Sequence, residues 1–473
     1  MPQDGTKTPK RQLNVMIKIL TPFSPGLCSK LLLVLLFASL FTVYFRASNE
    51  CVIESMKIQS VEEPRIYTTS NVQSTFECTG NMNYHHTWRY RTCSFRNICY
   101  DKSKKLFHFY QHPNSSRKPI LFEPKEGHLY DFHFKNHGFV NLVARPSRHE
   151  SWGPTIVDDL IPTVDVTKLI QPHVLFLHWH VNRFNPGHVI WEDIFAPFLT
   201  MVRLGEYKHK QAVLIEYKNF PPPDSKFHKL YNELVPAYAD KVVSLDEYMN
   251  SFSTQFVCFK NVMAGGATAV FSLDYEHYNN GKERILYDYR STILIHHGVD
   301  INQPPKTHRI LLVNKTETNR RTTRGIKNLL EVERFLRQTY PEVKIDVINW
   351  KGMPFRKQMH ELHSTTVLIT PCGGVSSIVP FLPKGAHAII MDYYVNKAAY
   401  IRGEMWKVGE SGSMDSAIWN YFPHIRKLYY QVRGPRDFEF AFPGAINSRY
   451  DVQIIIKMPR LKELIDTAIQ NSG

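Results

Sequence analysis

The sequence predicts an α/β fold in which two parallel-sheet halves face a cleft, and three observations carry that reading. Seven short, nearly all-apolar runs alternate with helix-period segments: HVLFLHWHV (173–181), AVLIEY (212–217), KVVSL (241–245), RILLVN (309–314), KIDVINW (344–350), TTVLITP (365–371) and HAIIMDYY (387–394). Such strands between helices suit a parallel sheet covered on both faces, where neither face meets water. Gly298 to Thr307, GVDINQPPKT, concentrates glycine and paired prolines and marks a boundary between the halves. The 473 residues, 43% apolar and 13% aromatic, are enough for two cores, which excludes intrinsic disorder. Seven cysteines without a CxxC also exclude a cysteine framework and a short zinc or redox motif.

In chain order, residues 1–30 form a basic tail with Lys7, Lys10, Arg11, Lys18 and Lys30 against one acid, Asp4. Leu31 to Phe45, LLLVLLFASLFTVYF, is apolar all round and uncharged. It reads as a type II signal anchor, with the basic tail held on the cytoplasmic side and everything after it lumenal. A cleaved signal peptide is the competing reading, since Ala38-Ser39 and Ala47-Ser48 offer small residues. Residues 46–75 lack periodicity and read as a stem. The first half spans 76–298, with a cysteine-containing entry segment and a hairpin around LFHFYQ, and the second spans 299–473. Its helices are IKNLLEVERFLRQTY, whose Leu329, Leu330, Val332, Phe335 and Leu336 would cover a sheet, then PFRKQMHELHS and the closing PRLKELIDTAIQ. IWEDIFAPFLTMVRLG (190–205) is the corresponding helix of the first half.

In a lumenal, oxidising space Cys78, Cys93 and Cys99 lie close enough for one local bridge, and Cys51 in the stem can link two copies as a homodimer. Connectivity is not readable from the spacing. The sequons at Asn114 and Asn314 become glycosylation candidates. A formal charge of +15 admits nucleic acid, an anionic membrane face or a phosphate-bearing substrate. Lumenal topology withholds the first.

Candidate chemistry sits in three loops. After the strand VLIT come Pro371, Cys372, Gly373 and Gly374, and then Ser376 and Ser377 opening a helix. Glycines admit a ligand close to the backbone, and first-turn N–H groups with two hydroxyls would cradle a diphosphate. After RILLVN, Arg320 and Arg324 lie four apart ahead of Asn328, spaced to fork onto phosphate oxygens. In the first half, Asn182, Arg183 and Asn185 precede His188, Glu192 and Asp193. His188 and Glu192 share a helical face, an imidazole and carboxylate able to orient or deprotonate a hydroxyl. No D-x-D triplet occurs to hold a divalent ion on a diphosphate.

Taken in order, ECTG (77–80) with CSFRNICYD (93–101), NRFNP (182–186) with His188 and Asp193, RRTTRGIKN (320–328) and LITPCGGVSSIVPFLPKGAHAIIMDYY (368–394) resemble glycosyltransferase family 61. The subgroup it most resembles in motif adds N-acetylglucosamine to protein O-mannose or to EGF domains. The resemblance implies a GT-B-like arrangement of two Rossmann-type halves facing a cleft, a nucleotide-sugar donor linked to UDP, inversion at the anomeric carbon and no metal or other cofactor. By position it puts Arg320, Arg324 and Asn328 on the family's basic loop, Gly373 and Gly374 on its glycine turn, and His188 and Asp193 on its histidine and acid. Cys372 stands where mannose-extending members carry histidine. The expected activity is transfer of N-acetylglucosamine or xylose to a glycan or glycoprotein acceptor in the Golgi or endoplasmic reticulum. A lumenal carbohydrate-binding or scaffold homologue without activity is the alternative.

Overall fold

β-branched and aromatic runs in the first half assemble one mixed sheet, as seen in a computed structural model. It describes residues 73–79, 91–113, 140–142, 151–177, 186–207, 210–218, 226–265, 281–315, 325–393, 421–432, 435–445 and 452–471. The apolar stretch 31–45, Cys51, Asn114, the loop carrying Asn182, Arg183 and Asn185, and Arg320 and Arg324 lie outside the described residues. Among the described residues no helix is long and apolar enough to cross a membrane.

The first-half strands are β1 (Thr75–Thr79), β2 (Thr92–Asp101), β3 (Leu106–Gln111), β4 (Val140–Asn141), β5 (Ser151–Trp152), β6 (Thr155–Asp158), β7 (Val166–Phe176), β8 (Val213–Glu216), β9 (Lys241–Ser244) and β10 (Phe256–Gly265). Apart from β4 and β5, which pair with each other, they run in the order β6-β3-β2-β10-β7-β8-β9, with β1 beside β2. β10, β7, β8 and β9 run parallel to one another, as β3 and β6 do, whereas β2 runs antiparallel to β10, β3 and β1. The sheet is therefore parallel from β10 to β9, with the β2–β3 hairpin set between β10 and the edge strand β6. Directly opposed residues carry the two disulfides found among the described residues: Cys78 bonds Cys93 across β1 and β2, and Cys99 bonds Cys258 across β2 and β10.

The second sheet is wholly parallel: β11 (Arg309–Val313), β12 (Lys344–Ile348), β13 (Val367–Pro371), β14 (His387–Tyr393) and β15 (Arg426–Val432), in the order β12-β11-β13-β14-β15. Strand order reverses between β11 and β13, the kind of position where open α/β sheets receive ligands at their carboxyl ends. A small antiparallel pair, β16 (Phe438–Phe440) and β17 (Val452–Ile454), stands apart.

The helices are α1 (Phe195–Arg203), α2 (Lys226–Leu234), α3 (Leu245–Asn250), α4 (Glu283–His296), α5 (Leu329–Thr339), α6 (Phe355–His363) and α7 (Met458–Gln470). On α5 Val332 and Leu336 are buried, but Leu330 is 73% exposed, so it does not help cover the sheet. Its position beside Leu329 turns it to the outer side of the helical stripe.

Residues 71–473 form one compact unit. One apolar core joins Val174, Phe176 and Leu214 of the first sheet to Leu311, Ile369 and Ile389 of the second. A separate cluster containing Phe95, Phe107, Trp152 and Val257 belongs to the first sheet. Where the halves meet, Trp191 is fully buried, with ring centroids 5.5 Å from Phe381, 5.1 Å from Phe422 and 5.6 Å from Tyr289. Each large apolar side chain buried there contributes about 1.5–3 kcal/mol relative to exposure. At this junction the halves are packed together rather than parted by a solvent-filled cleft.

Candidate functional site

β11 and β13 are neighbours whose chains then diverge, so the loops at their carboxyl ends share the switch point. The loop after β11 leaves through Asn314, whose N–H donates to the Ile348 carbonyl at 2.8 Å, and Lys315; it is described again from Gly325. The Asn314 sequon thus begins beside the candidate site. Asn328 closes that loop. Its amide accepts from the Ile456 N–H at 2.9 Å and donates to the Ile456 carbonyl at 3.0 Å. A bridge between Ile326 and Ile454 runs alongside. In this arrangement Asn328 anchors the returning chain to the residues after β17.

The loop after β13 turns at Gly373, with φ +99° and ψ −154°, a conformation essentially confined to glycine. Where a helix is expected, the chain forms two 3₁₀ turns, Gly374–Ser376 and Val379–Phe381. Pro380 and Pro383 lack N–H groups, so a longer helical ladder is interrupted. The serine hydroxyls also differ from the cradle the sequence suggests. Ser376 Oγ donates to the Gly373 carbonyl at 2.6 Å, and Ser377 Oγ donates to the Gly374 carbonyl at 2.7 Å. Each hydroxyl proton is engaged inside the turn, so the serines shape it. Cys372 is buried and belongs to neither disulfide.

In the first half, Pro186–His188 leads into a π-helical turn, Val189–Ile194, and then α1. A π turn shifts carbonyls out of the regular ladder and frequently marks a functional site. Here the displaced groups meet buried tyrosines: Tyr289 Oη donates to the Ile190 carbonyl at 2.9 Å, and Tyr238 Oη to the Ile194 carbonyl at 2.7 Å. His188 Nδ1 lies 2.8 Å from Glu192 Oε2, with the His188 side chain 15% exposed and that of Glu192 2%. With Nδ1–H donating to the carboxylate, Nε2 carries the ring's lone pair, the tautomer a general base needs. Asp193 is buried next to it. Burial, then the charges of Asp193 and Glu216, push the Tyr231 hydroxyl well above its ordinary range.

The two halves meet at these features. Pro186–His188 packs directly against Gly374–Ser376, and Trp191 Nε1 donates to the Ser377 carbonyl at 2.8 Å. Thus His188, and Glu192 through it, are brought beside the turn at Gly374 to Ser376, whereas Asp193 acts on Tyr231. Arg290 on α4 contributes two further bonds across the junction, from Nε to the Pro380 carbonyl at 3.0 Å and from Nη2 to the Leu382 carbonyl at 2.6 Å. Trp191, Tyr289 and Arg290 escape sequence reasoning because their partners are backbone carbonyls distant in the chain. Their one legible signal is an aromatic and a basic residue within apolar helical patterns. Among the described residues no three His, Cys, Asp or Glu side chains are grouped to hold a metal ion.

Residues 176–389 match the family model described as Glycosyltransferase 61. The matched segment runs from the end of β7 into β14, so it contains the π turn, α4, β11 and the glycine turn. No curated protein matches the chain.

Proposed function

We propose, from the premise that the chain belongs to glycosyltransferase family 61 and is a glycosyltransferase, that it is an inverting enzyme of the secretory pathway. It moves N-acetylglucosamine or xylose from a UDP-linked donor to a hydroxyl of a glycan or glycoprotein. The observation that carries this reading is the packing of Pro186–His188 against Gly374–Ser376, which sets a histidine–carboxylate pair beside a glycine turn at a topological switch point.

The chemistry follows from that juxtaposition. The acceptor hydroxyl, positioned by the 182–193 segment, gives its proton to His188 Nε2 while its oxygen attacks the anomeric carbon. Glu192 fixes the imidazole tautomer and stabilises the imidazolium; Asp193 adds negative charge nearby. The bond from the anomeric carbon to the diphosphate breaks on the opposite face, so configuration inverts. The departing diphosphate lies on the backbone from Cys372 to Gly374, with Arg320 and Arg324 stabilising its charge. The donor is the only cofactor-like group in this scheme, and no metal takes part.

Two disulfides support a lumenal site, since such bonds persist in oxidising compartments. The apolar stretch Leu31 to Phe45 would then anchor the chain in the Golgi or endoplasmic reticulum membrane, with Cys51 placed to join two copies.

A screen of residues 70–473 for hydrolysis of nucleotide sugars, beginning with UDP-N-acetylglucosamine and UDP-xylose, tests the donor without knowledge of the acceptor. His188→Ala is expected to lower turnover by about 10²–10⁴-fold with donor affinity retained. Turnover near wild type in that variant would remove His188 as the base. A wild-type chain that hydrolyses no nucleotide sugar and binds no nucleoside diphosphate would sink the donor reading itself.

A further inference from the structure

Three backbone carbonyls in the segment following the glycine turn, those of Ser377, Pro380 and Leu382, all accept from side chains outside that segment. Trp191 Nε1 takes the first at 2.8 Å, and Arg290 takes the second and third at 3.0 and 2.6 Å. His424 Nε2 adds a contact to Pro380 at 3.0 Å. Trp191 and Arg290 both belong to first-half helical segments, whereas the carbonyls belong to the second half. The turn that begins at Gly373 is thus folded by β13 on one side and held from across the junction on the other.

Arg290 is an uneconomical way to hold a loop if holding is all it does. It is 1% exposed, and its contacts among the described residues are two carbonyls, the Ser291 hydroxyl at 3.4 Å and the face of Tyr287 at 5.2 Å. No carboxylate is among these. A buried cation is ordinarily paired with an acid, because desolvation otherwise penalises it. Burial does lower its pKa, to about 10, which leaves the guanidinium charged at neutral pH. That charge also helps hold His363 and His424 neutral. The junction therefore keeps one fixed positive charge behind the turn, with its balancing negative charge not supplied by the groups it touches.

We propose that Arg290 and Trp191 are positioning residues for the donor diphosphate: they fix the backbone from Gly373 to Leu382, and Arg290 supplies a permanent positive charge behind it that favours an anion on the turn. This rests on the reading of the glycine turn as the donor site. The two residues act through the backbone and do not touch the donor. Their placement also explains why the histidine–glutamate pair and the glycine turn stay in register, since Trp191 lies in the same π turn as Glu192.

The test uses the full chain and UDP as the probe, with binding by titration calorimetry and donor hydrolysis for KM and kcat. Four variants are compared: Arg290→Met, Arg290→Lys, Trp191→Phe and Leu336→Ala. The last opens a cavity in α5, away from the turn, and serves as a control of matched stability. Arg290→Met is expected to weaken UDP at least tenfold and to raise donor KM in step. Arg290→Lys, which keeps the charge but reaches fewer carbonyls, should recover part of the loss; Trp191→Phe should lose several-fold. Leu336→Ala should bind as wild type despite a lower unfolding midpoint. If Arg290→Met does not fold, Arg290→Lys and Trp191→Phe decide. Wild-type affinity in both of those, or an equal loss in Leu336→Ala, overturns the proposal. UDP binding by wild type that survives every variant overturns only the positioning role, whereas no binding by wild type overturns the donor reading and this role with it.

Discussion

Gly373 sits at φ +99° and ψ −154°, where a Cβ would collide with its own backbone, and the two 3₁₀ turns after it depend on that bend. Gly373→Ala should therefore cost about 1–3 kcal/mol of folding free energy. It should also weaken UDP more than that loss of stability would suggest, because the strain falls on the donor turn. A urea midpoint equal to wild type would mean the turn relaxes without strain. At this scale the sequence is a partial guide. The glycine pair after an apolar strand and the four-residue spacing of His188 and Glu192 are both legible, because local spacing alone dictates them. The engagement of Ser376 and Ser377 with their own turn, and of Asn328 with Ile456, is not legible. A hydroxyl or amide that could reach a ligand looks the same in sequence as one that donates to a carbonyl.

Among the elements, six of the seven apolar runs become strands near their expected limits, since a strand buried on both faces must be apolar throughout, whereas the run at 173–181 belongs to a strand that begins at Val166 and is described as far as Phe176. β10 is hidden because Lys260 and Asn261 break its run at a register shift, although residues on either side are buried. α4 is hidden because Arg290 and Ser291 are polar yet buried, which blurs the helical period. The bridge between Cys99 and Cys258 ties β2 to the unmarked β10 across 159 residues of chain. Closing so long a loop restricts the unfolded chain, and the Cys99→Ala/Cys258→Ala double variant should lose about 2–5 kcal/mol in denaturant unfolding. Because both sulfurs lie on the first sheet and away from the turn, UDP affinity of the folded fraction should stay within twofold. A matching loss of affinity would show that this part of the sheet and the site are coupled.

Over the whole molecule, burial of histidine sets the response to acid. His173, His297, His363 and His387 are buried and held at about 4, and His424, packed against Pro380, at about 3, in each case chiefly by burial. In the unfolded chain each would titrate near the ordinary value of about 6.5. Between those two values the unfolded chain binds protons that the folded chain does not. Stability should therefore fall as pH drops from about 6.5 towards 4, each fully titrating group contributing on the order of 1.4 kcal/mol per pH unit. Lys282, lowered to about 7 by burial and then by the charge of Arg203, acts in the same direction at higher pH: the unfolded chain holds its proton up to about 10.5, so stability keeps rising above neutrality. Two of the five histidines, His363 and His424, feel the charge of Arg290 at the junction, and protonating either adds positive charge near a guanidinium already buried there. Acid should consequently loosen the junction before the β1–β2–β10 part of the first sheet, which the two disulfides hold. Urea midpoints at pH 7, 5.5 and 4.5, with amide hydrogen exchange followed separately over α4 and β2, check both parts. Equal midpoints across that range would show that these imidazoles titrate near 6.5 in the folded chain, and loss of protection in β2 ahead of α4 would reverse the order of opening.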